Sequence, residues 1–426
     1  MKLIYLVLDG AADRLTDEVT SYELARKPLL DLLAKAGKCG MMYTVGKGIA
    51  PESDGAVMSI LGYDPHKEYT GRGPIEAVGA GLTLKEGYEV AFRANFATVD
   101  PRTYRLIDRR VGRSLRTEEA KELAKALDGM ELSKYGGYAR VVATVGHRAV
   151  VVIGSRERRL SDNVENVDPA YRKVGKISVA VKGFKPYIRW CEPLDNSEEA
   201  RITAELVNEF VKKAIEILDK HPVNKEREAR GELKANAILL RDAGGAIPKV
   251  EPISKRYGLK FAAVAEMPVE IGIARILGME VAKVPPPTED KKSDYEIRVK
   301  ATLDLLKKAD VVYVHLKGPD EPGHDGNRDR KVKAIEDIDR YYVARILPLI
   351  DLNEVAMLIT SDHATPPTVK AHTDDPVPLA LIAPNLEPDK TTKLTEKECS
   401  AKGELGTIEH GWELLPKILP LIRNTE

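Results

Sequence analysis

Three aspartates, three histidines and a serine, carried on short fragments far apart in the chain, have the side chains needed to hold divalent cations and move a phosphoryl group. The fragments are Leu8-Asp9-Gly10, Pro51-Glu52-Ser53-Asp54-Gly55, Asp320-Glu321-Pro322-Gly323-His324, and Ser361-Asp362-His363 followed by Ala371-His372-Thr373. Carboxylate and imidazole donors without thiolate suit Mn2+, Mg2+, Co2+ or Zn2+ and disfavour softer metals. A serine hydroxyl is a poor nucleophile until its pKa is lowered by a cation, and a helix start favours the charge that then develops. Ser53 precedes the apolar positions Ala56, Val57, Ile60 and Leu61, which places it at or near such a start. Taken singly, Asp9-Gly10 reads as a turn, Ser53 as a helix cap, and His324 and His372 as polar loop residues. Together they read as a two-metal phosphoryl-transfer site.

The elements that must position these residues follow from apolar patterning. Lys2 to Leu8 is a β-prone run that stops at Asp9, and Tyr22 to Leu33 has helical spacing. Met42 to Val45 reads as a short strand before the Ser53 helix. Later strands are expected at Lys260 to Ala265, Asp310 to Leu316, Val355 to Thr360 and Leu379 to Ala383. They alternate with helical patterns at Val269 to Leu277, Glu296 to Lys308 and Arg330 to Ile350. This alternation predicts an α/β fold with a doubly wound, mostly parallel sheet, whose ligands bind at the carboxyl ends of the strands. Asp9 and Asp362-His363 would share that edge. Asp320 and His324, four residues apart, would reach one cation if their loop makes a helical turn.

From about Gly71 the pattern changes to alternating stretches at Val90 to Thr98, Ala139 to Thr144, Arg148 to Ile153 and Ile177 to Val181. An amphipathic helix follows at Ser197 to Leu218, then a charged stretch, Asn224 to Lys234, that reads as a solvated loop before the apolar run Ala237 to Leu240. The organisation expected is a discontinuous core of residues 1–72 and 242–426 interrupted by a smaller α/β insertion, 73–241. No internal repeat or low-complexity tract stands out.

Composition narrows the function classes. In 426 residues, 66 Lys and Arg balance 66 Asp and Glu, so no global field recruits nucleic acid or an anionic membrane. No apolar run is long enough to span a membrane, and Met1-Lys2 leads straight into the first strand without a signal-peptide pattern, so a cytoplasmic location is expected. Cys39, Cys191 and Cys399 are too few and too scattered for a disulfide framework or zinc ribbon. Charged residues make up 31% of the chain and glutamine is absent, a bias that predicts a thermophilic source.

Other candidates are individually weaker. His315 reads as a satisfied strand histidine, whereas Lys317 could reach a substrate phosphate or carboxylate. His66, His147, His221 and His410 have no neighbouring constellation. Arg93, Arg109, Arg110, Arg113, Arg148 and Arg241 stand near strand or loop ends of the insertion, where guanidinium forks could clamp a carboxylate and a phosphate. Gly71-Arg72-Gly73 lacks the Gly-Lys-Ser/Thr ending of a phosphate loop.

At the level of motifs the chain resembles the archaeal-type cofactor-independent phosphoglycerate mutases of the alkaline phosphatase superfamily. The resemblance is carried by Val7-Leu8-Asp9-Gly10, Glu52-Ser53-Asp54-Gly55, Lys317-Gly318-Pro319-Asp320 through Gly323-His324-Asp325-Gly326, Thr360-Ser361-Asp362-His363, and His372-Thr373 leading to Pro376-Val377-Pro378. It implies an alkaline-phosphatase-like core. It also implies one metal on Asp9, Ser53, Asp362 and His363 and another on Asp320, His324 and His372, with Mn2+ the expected ion. Ser53 would carry the phosphoryl group while 2- and 3-phosphoglycerate interconvert, and no 2,3-bisphosphoglycerate would be consumed. Arg109, Arg110 and Arg241 are the substrate-clamping residues expected in the most family-like parts of the insertion. A homo-oligomer is compatible with the sequence, which does not fix it. Two other readings use the same residues: a metal-dependent phosphatase or phosphonate hydrolase, and a catalytically silent protein that binds a phosphorylated ligand.

Overall fold

The computed structural model describes residues 2–423. The chain divides into two units, one comprising the residues up to Glu68, Val250–Glu266 and those from Ile273 onward, the other Tyr69–Lys249 with Met267–Gly272. The second unit is somewhat wider than residues 73–241 because a strand runs past its C-terminal bound and a helix crosses its N-terminal one. Strand Ala237–Gly244 pairs along Glu89–Val99, and helix Arg72–Gly79 packs on the same two strands.

The first unit is built on an eight-stranded sheet. Across it run Glu280–Lys283, Phe261–Ala265, Val311–Leu316, Lys2–Leu8, Val355–Thr360, Val377–Ile382, Lys38–Met42 and Gly406–Ile408. Only Val377–Ile382 runs antiparallel to its neighbours; the other pairs are parallel. Strands Val311–Leu316 and Val355–Thr360 are buried at every position, as a sheet covered on both faces requires, so they read as continuous apolar runs without alternation. The expected parallel-rich α/β core is therefore present.

Local departures from the sequence reading have identifiable causes. The expected helix Tyr22 to Leu33 is two helices, Ser21–Leu24 and Pro28–Lys35. Thr20 and Glu23 open the first with a capping box, the extended Ala25 ends it, and Pro28 starts the second at its first turn. The expected strand Met42 to Val45 lies earlier, at Lys38–Met42, and contains a glycine. A Cβ on Gly40 would stand 2.5 Å from the Gly406 carbonyl oxygen, so this glycine admits a neighbouring backbone and does not break the strand. Arg330 to Ile350 begins as helix Arg328–Asp337 and continues into a π-helical turn, Ile338–Val343. There Asp339 accepts a hydrogen bond from the amide of Leu30 at 2.7 Å.

The second unit carries a six-stranded antiparallel sheet. Helices Thr117–Leu127 and Glu198–Asp219 contribute Leu123, Leu127, Leu206 and Phe210 to a core with Phe92, Phe96, Val151 and Ile153 of the strands. The alternate strand positions Ala91, Val150 and Val152 pack against Ala77 of helix Arg72–Gly79. Asn224 to Lys234 is not a solvated loop throughout, because helix Pro222–Ala229 occupies its first half. Among the described residues no helix is long and apolar enough to cross a membrane.

Candidate active site

Three adjacent parallel strands deliver the acids and imidazoles to one edge of the large sheet. Val7 stands opposite both His315 and Thr360, so the residues after each strand end, Asp9, Lys317 and Ser361 to His363, arrive together. Gly10, at φ +60, makes the turn that follows Asp9. Its amide donates to Asp362 Oδ1 at 2.9 Å, and the His363 amide donates to the same oxygen at 3.0 Å. Asp362 Oδ2 is thereby turned toward His363 Nε2, 3.2 Å away. Asp9 Oδ1 lies 3.5 Å from that nitrogen, while Lys317 Nζ sits 2.6 Å from Asp9 Oδ2.

Ser53 is the first residue of helix Ser53–Ile60, with Glu52 in the capping position and no side-chain cap there. Its hydroxyl is not used as a cap and lies 3.5 Å from His363 Nε2. The carbonyl preceding this segment, on Pro51, takes a hydrogen bond from His372 Nδ1 at 2.8 Å. A carbonyl can only accept, so the His372 ring hydrogen is on Nδ1 and Nε2 turns inward. That Nε2 lies 3.3 Å from Asp320 Oδ1 and 3.1 Å from His324 Nε2, and Asp320 is 3.4 Å from His324 across one turn of the short helix Asp320–Asp325. The His363 and His372 rings stack at 3.7 Å. Asp320, His363 and His372 form one group whose ligand atoms lie within 4.8 Å of one another; Asp9, His315 and Asp362 form another.

This donor set fits divalent cations on its own chemistry. Asp9 Oδ1 and Asp362 Oδ2 are buried and accept no hydrogen bond among the described residues. A carboxylate oxygen in that state pays its desolvation cost without return unless a positive charge faces it. Burial favours the neutral acid, yet Lys317, His315 and His363 outweigh it and hold Asp9 well below the usual carboxylate range. Asp320 is also depressed, with burial and the Asp9 charge opposed by His372 and His363. Burial disfavours a charged His363, but Asp362, Asp320 and Asp9 raise its pKa to about 9.

Comparison with known proteins agrees with the motifs. Residues 34–224 match the family model described as 2,3-bisphosphoglycerate-independent phosphoglycerate mutase. A protein of that name from Aeropyrum pernix is 49% identical over 99% of this chain and 100% of its own length. The chain belongs to the 2,3-bisphosphoglycerate-independent phosphoglycerate mutases. A second family member, from Archaeoglobus fulgidus, is 41% identical over 99% of this chain and 98% of its own. Among solved structures, the cofactor-independent phosphoglycerate mutase from Thermoplasma acidophilum is 31% identical, with a TM-score of 0.62 over 99% of this chain and all of that one. A Pyrococcus horikoshii protein is 30% identical, with a TM-score of 0.77 over 100% of this chain and 98% of its own.

Sequence patterning understated two neighbours of the site. His315 is satisfied on one side, with Nδ1 2.7 Å from the Tyr313 hydroxyl. Its Nε2, however, lies 3.7 Å from Asp9 Oδ2 and 3.6 Å from Asp362 Oδ2. Its position two residues before Lys317 was the available signal. Thr365, two residues after His363, places its hydroxyl 3.0 Å from His363 Nδ1. His66 and His410 pack on Trp412, and His221 caps helix Pro222–Ala229.

The second unit holds the arginines. Arg109 donates through Nε to Asp168 at 2.8 Å, so part of its fork is already engaged. Arg241 is buried, with its guanidinium 3.9 Å from the centre of the Tyr171 ring. Burial, then Arg241 and Arg72, push Arg93 down to about 9. Burial, then Arg148, Arg110, Arg93 and Arg113, push His147 down to about 3. Arg110 is lowered by burial, followed by Arg113 and Arg109. Burial is the first cause in each case and neighbouring positive charge adds to it, so an anion here would meet partly desolvated cations.

Proposed function

We propose that the chain interconverts 2-phosphoglycerate and 3-phosphoglycerate, the glycolytic and gluconeogenic step, through a phosphoserine on Ser53 and without 2,3-bisphosphoglycerate. The observation that carries the reading is the Ser53 hydroxyl, unused as a helix cap and 3.5 Å from His363 Nε2, the nitrogen that also neighbours Asp9 Oδ1 and Asp362 Oδ2, buried oxygens that accept no hydrogen bond among the described residues. Asp9, Ser53, Asp362 and His363 would hold one cation; Asp320, His324 and His372 would hold the other. Mn2+ is the expected ion, and Mg2+, Co2+ or Zn2+ suit the same donors. When bound, the two ions neutralise phosphoryl oxygens and lower the serine pKa.

Ser53 Oγ gives up its proton and attacks phosphorus, the bond from phosphorus to the glycerate oxygen breaks, and that oxygen takes up a proton in its place. Glycerate reorients while held, its other hydroxyl gives up its proton as it attacks the phosphoserine, the bond from phosphorus to Oγ breaks, and Ser53 leaves with a proton restored. The helix start at Ser53 favours the negative charge that develops on Oγ. Lys317 has its ammonium on Asp9, so its part is to balance that carboxylate beside the reacting group. Residues 1–72 and 242–426 are read as the catalytic core and 73–241 as the substrate-binding insertion. Arg110 and Arg241 are its anion-binding groups, and Arg109 is braced by Asp168. A cytoplasmic location accords with this activity.

The test follows 2-phosphoglycerate and free phosphate in parallel after adding 3-phosphoglycerate and Mn2+ with no bisphosphoglycerate. Isomer without phosphate is expected; phosphate without isomer would make the protein a hydrolase. Ser53→Ala should retain fold and bound metal while turnover falls by more than about 10^3-fold, the scale of losing a nucleophile. Near-normal turnover by this variant would remove Ser53 from the reaction.

A further inference from the structure

We propose that Thr365 is a positioning residue whose single hydroxyl ties the two cation sites together and sets which nitrogen His363 presents. The inference rests on the two-cation reading above. Thr365 is fully buried, and its Oγ1 donates to Asp320 Oδ1 at 2.7 Å. The same Oγ1 is 3.0 Å from His363 Nδ1. A hydroxyl has one hydrogen. With that hydrogen on the Asp320 carboxylate, the oxygen can only accept from His363, so Nδ1 carries a hydrogen whatever the charge of the ring. Nε2 is then the nitrogen facing Ser53, Asp9 and Asp362. Asp320 and His363 belong to one close group of ligand atoms, with His363 Nδ1 3.9 Å from Asp320 Oδ1, but Thr365 occupies that nitrogen, and under the assignment above the one oxygen touches a ligand of each cation, fixing the carboxylate of one and the ring of the other, as outer partners of metal-binding histidines do.

The surrounding chain is shaped to put the hydroxyl there. The Thr365 amide donates to the Ala12 carbonyl at 3.0 Å. Lys331, fully buried, donates from Nζ to the carbonyls of Thr365 and Ala12, each at 2.9 Å, and to Asp13 Oδ1 at 2.6 Å. This ammonium pins the loop after His363 to the loop after Asp9. Space is kept open on two sides. A Cβ on Gly10 would lie 2.7 Å from Asp320 Oδ1 and 2.8 Å from Thr365 Oγ1, and one on Gly323 would lie 2.3 Å from the Thr365 carbonyl oxygen. These are contacts no side chain tolerates, so two glycines border the bridge.

The test is calorimetric titration of the metal-stripped full chain with MnCl2. Wild type should bind two ions. Thr365→Val, which keeps the shape and loses the hydroxyl, should weaken both binding steps by about 10- to 100-fold, the range for outer-shell partners. Thr365→Ser should recover wild-type affinity to within about threefold. Thr365→Ala, which adds no bulk, decides the matter if the valine variant does not fold. Unchanged affinities in the hydroxyl-free variant would overturn the proposal, and weakening of only one step would reduce Thr365 to a partner of one site. Failure of serine to rescue would transfer the effect to the threonine methyl and overturn it equally. A wild-type chain that binds no Mn2+ would instead remove the two-cation reading itself.

Discussion

Glu396 is a carboxyl group set against another acid, Asp13. It is fully buried, accepting from the Asp13 amide at 2.8 Å and the Thr20 hydroxyl at 2.7 Å. Burial, reinforced by the charge of Asp13, raises its pKa to about 7. Between the unfolded value of about 4.3 and this one, the folded state keeps a proton that the unfolded chain has released. Its contribution to stability therefore falls as pH rises through that window and levels off above about pH 7. Glu396→Gln should remove this slope, making the variant gain on wild type by about 3 kcal/mol between pH 4 and pH 8. Urea unfolding at both ends of the range checks it, and parallel pH profiles would refute it. Site residues of this kind differ in how plainly a sequence shows them. Asp9, Asp362 and His363 follow apolar strand runs, so their edge could be inferred. His315 lies inside such a run and resembles core, because only the register against Val7 brings it to the acids. Thr365 has a common residue type and no periodicity to mark it.

Helix Pro222–Ala229 shows how an element escapes pattern reading. Its charged residues are not all on the solvent side: Asn224 and Arg227 are buried. Arg227 donates from Nε to the Leu233 carbonyl at 2.8 Å, from Nη1 to Glu119 at 2.6 Å and from Nη2 to the Ser114 hydroxyl at 2.7 Å. The helix is therefore held by a polar core that a hydrophobic stripe cannot reveal. Arg227→Ala should cost about 1–3 kcal/mol, the range for leaving buried hydrogen-bonding groups without a partner, because Glu119 is half-buried and keeps Arg230 and Arg116, and should lower the melting temperature. A variant that melts with wild type would mean that Arg230, 2.7 Å from Glu119, suffices. The strands were more legible than the helices because the sheet of the first unit needs unbroken apolar runs. Lys38–Met42 lies earlier than the expected run, and Glu280–Lys283 and Gly406–Ile408, at the two edges of that sheet, carry no such run; a Cβ on Gly37 or Gly40 would collide with a neighbouring strand's carbonyl oxygen, so these glycines admit a close backbone.

For the whole chain, cation binding and folding stability are linked. Carboxylates that crowd together without a cation oppose the fold, so any ion held only by the native state adds to its stability. At a free Mn2+ concentration 100 times its dissociation constant, each site should contribute about 2.7 kcal/mol, and chelation should lower the melting temperature accordingly. Identical melts in EDTA and Mn2+ would dissociate the acids from metal binding. The order of strands across the large sheet has another consequence, for synthesis. Leu3 pairs with both Val311 and Ala356, so the first strand made must wait for partners from the last third of the chain. Meanwhile Tyr69–Lys249, most of the second unit, emerges as one continuous stretch. A nascent chain released early would carry Asp9 and the serine but none of His324, His363 and His372. Such a product would lack the imidazoles of both proposed cation sites: the nucleophile is translated early, and of the residues that arm it only Asp9 precedes it.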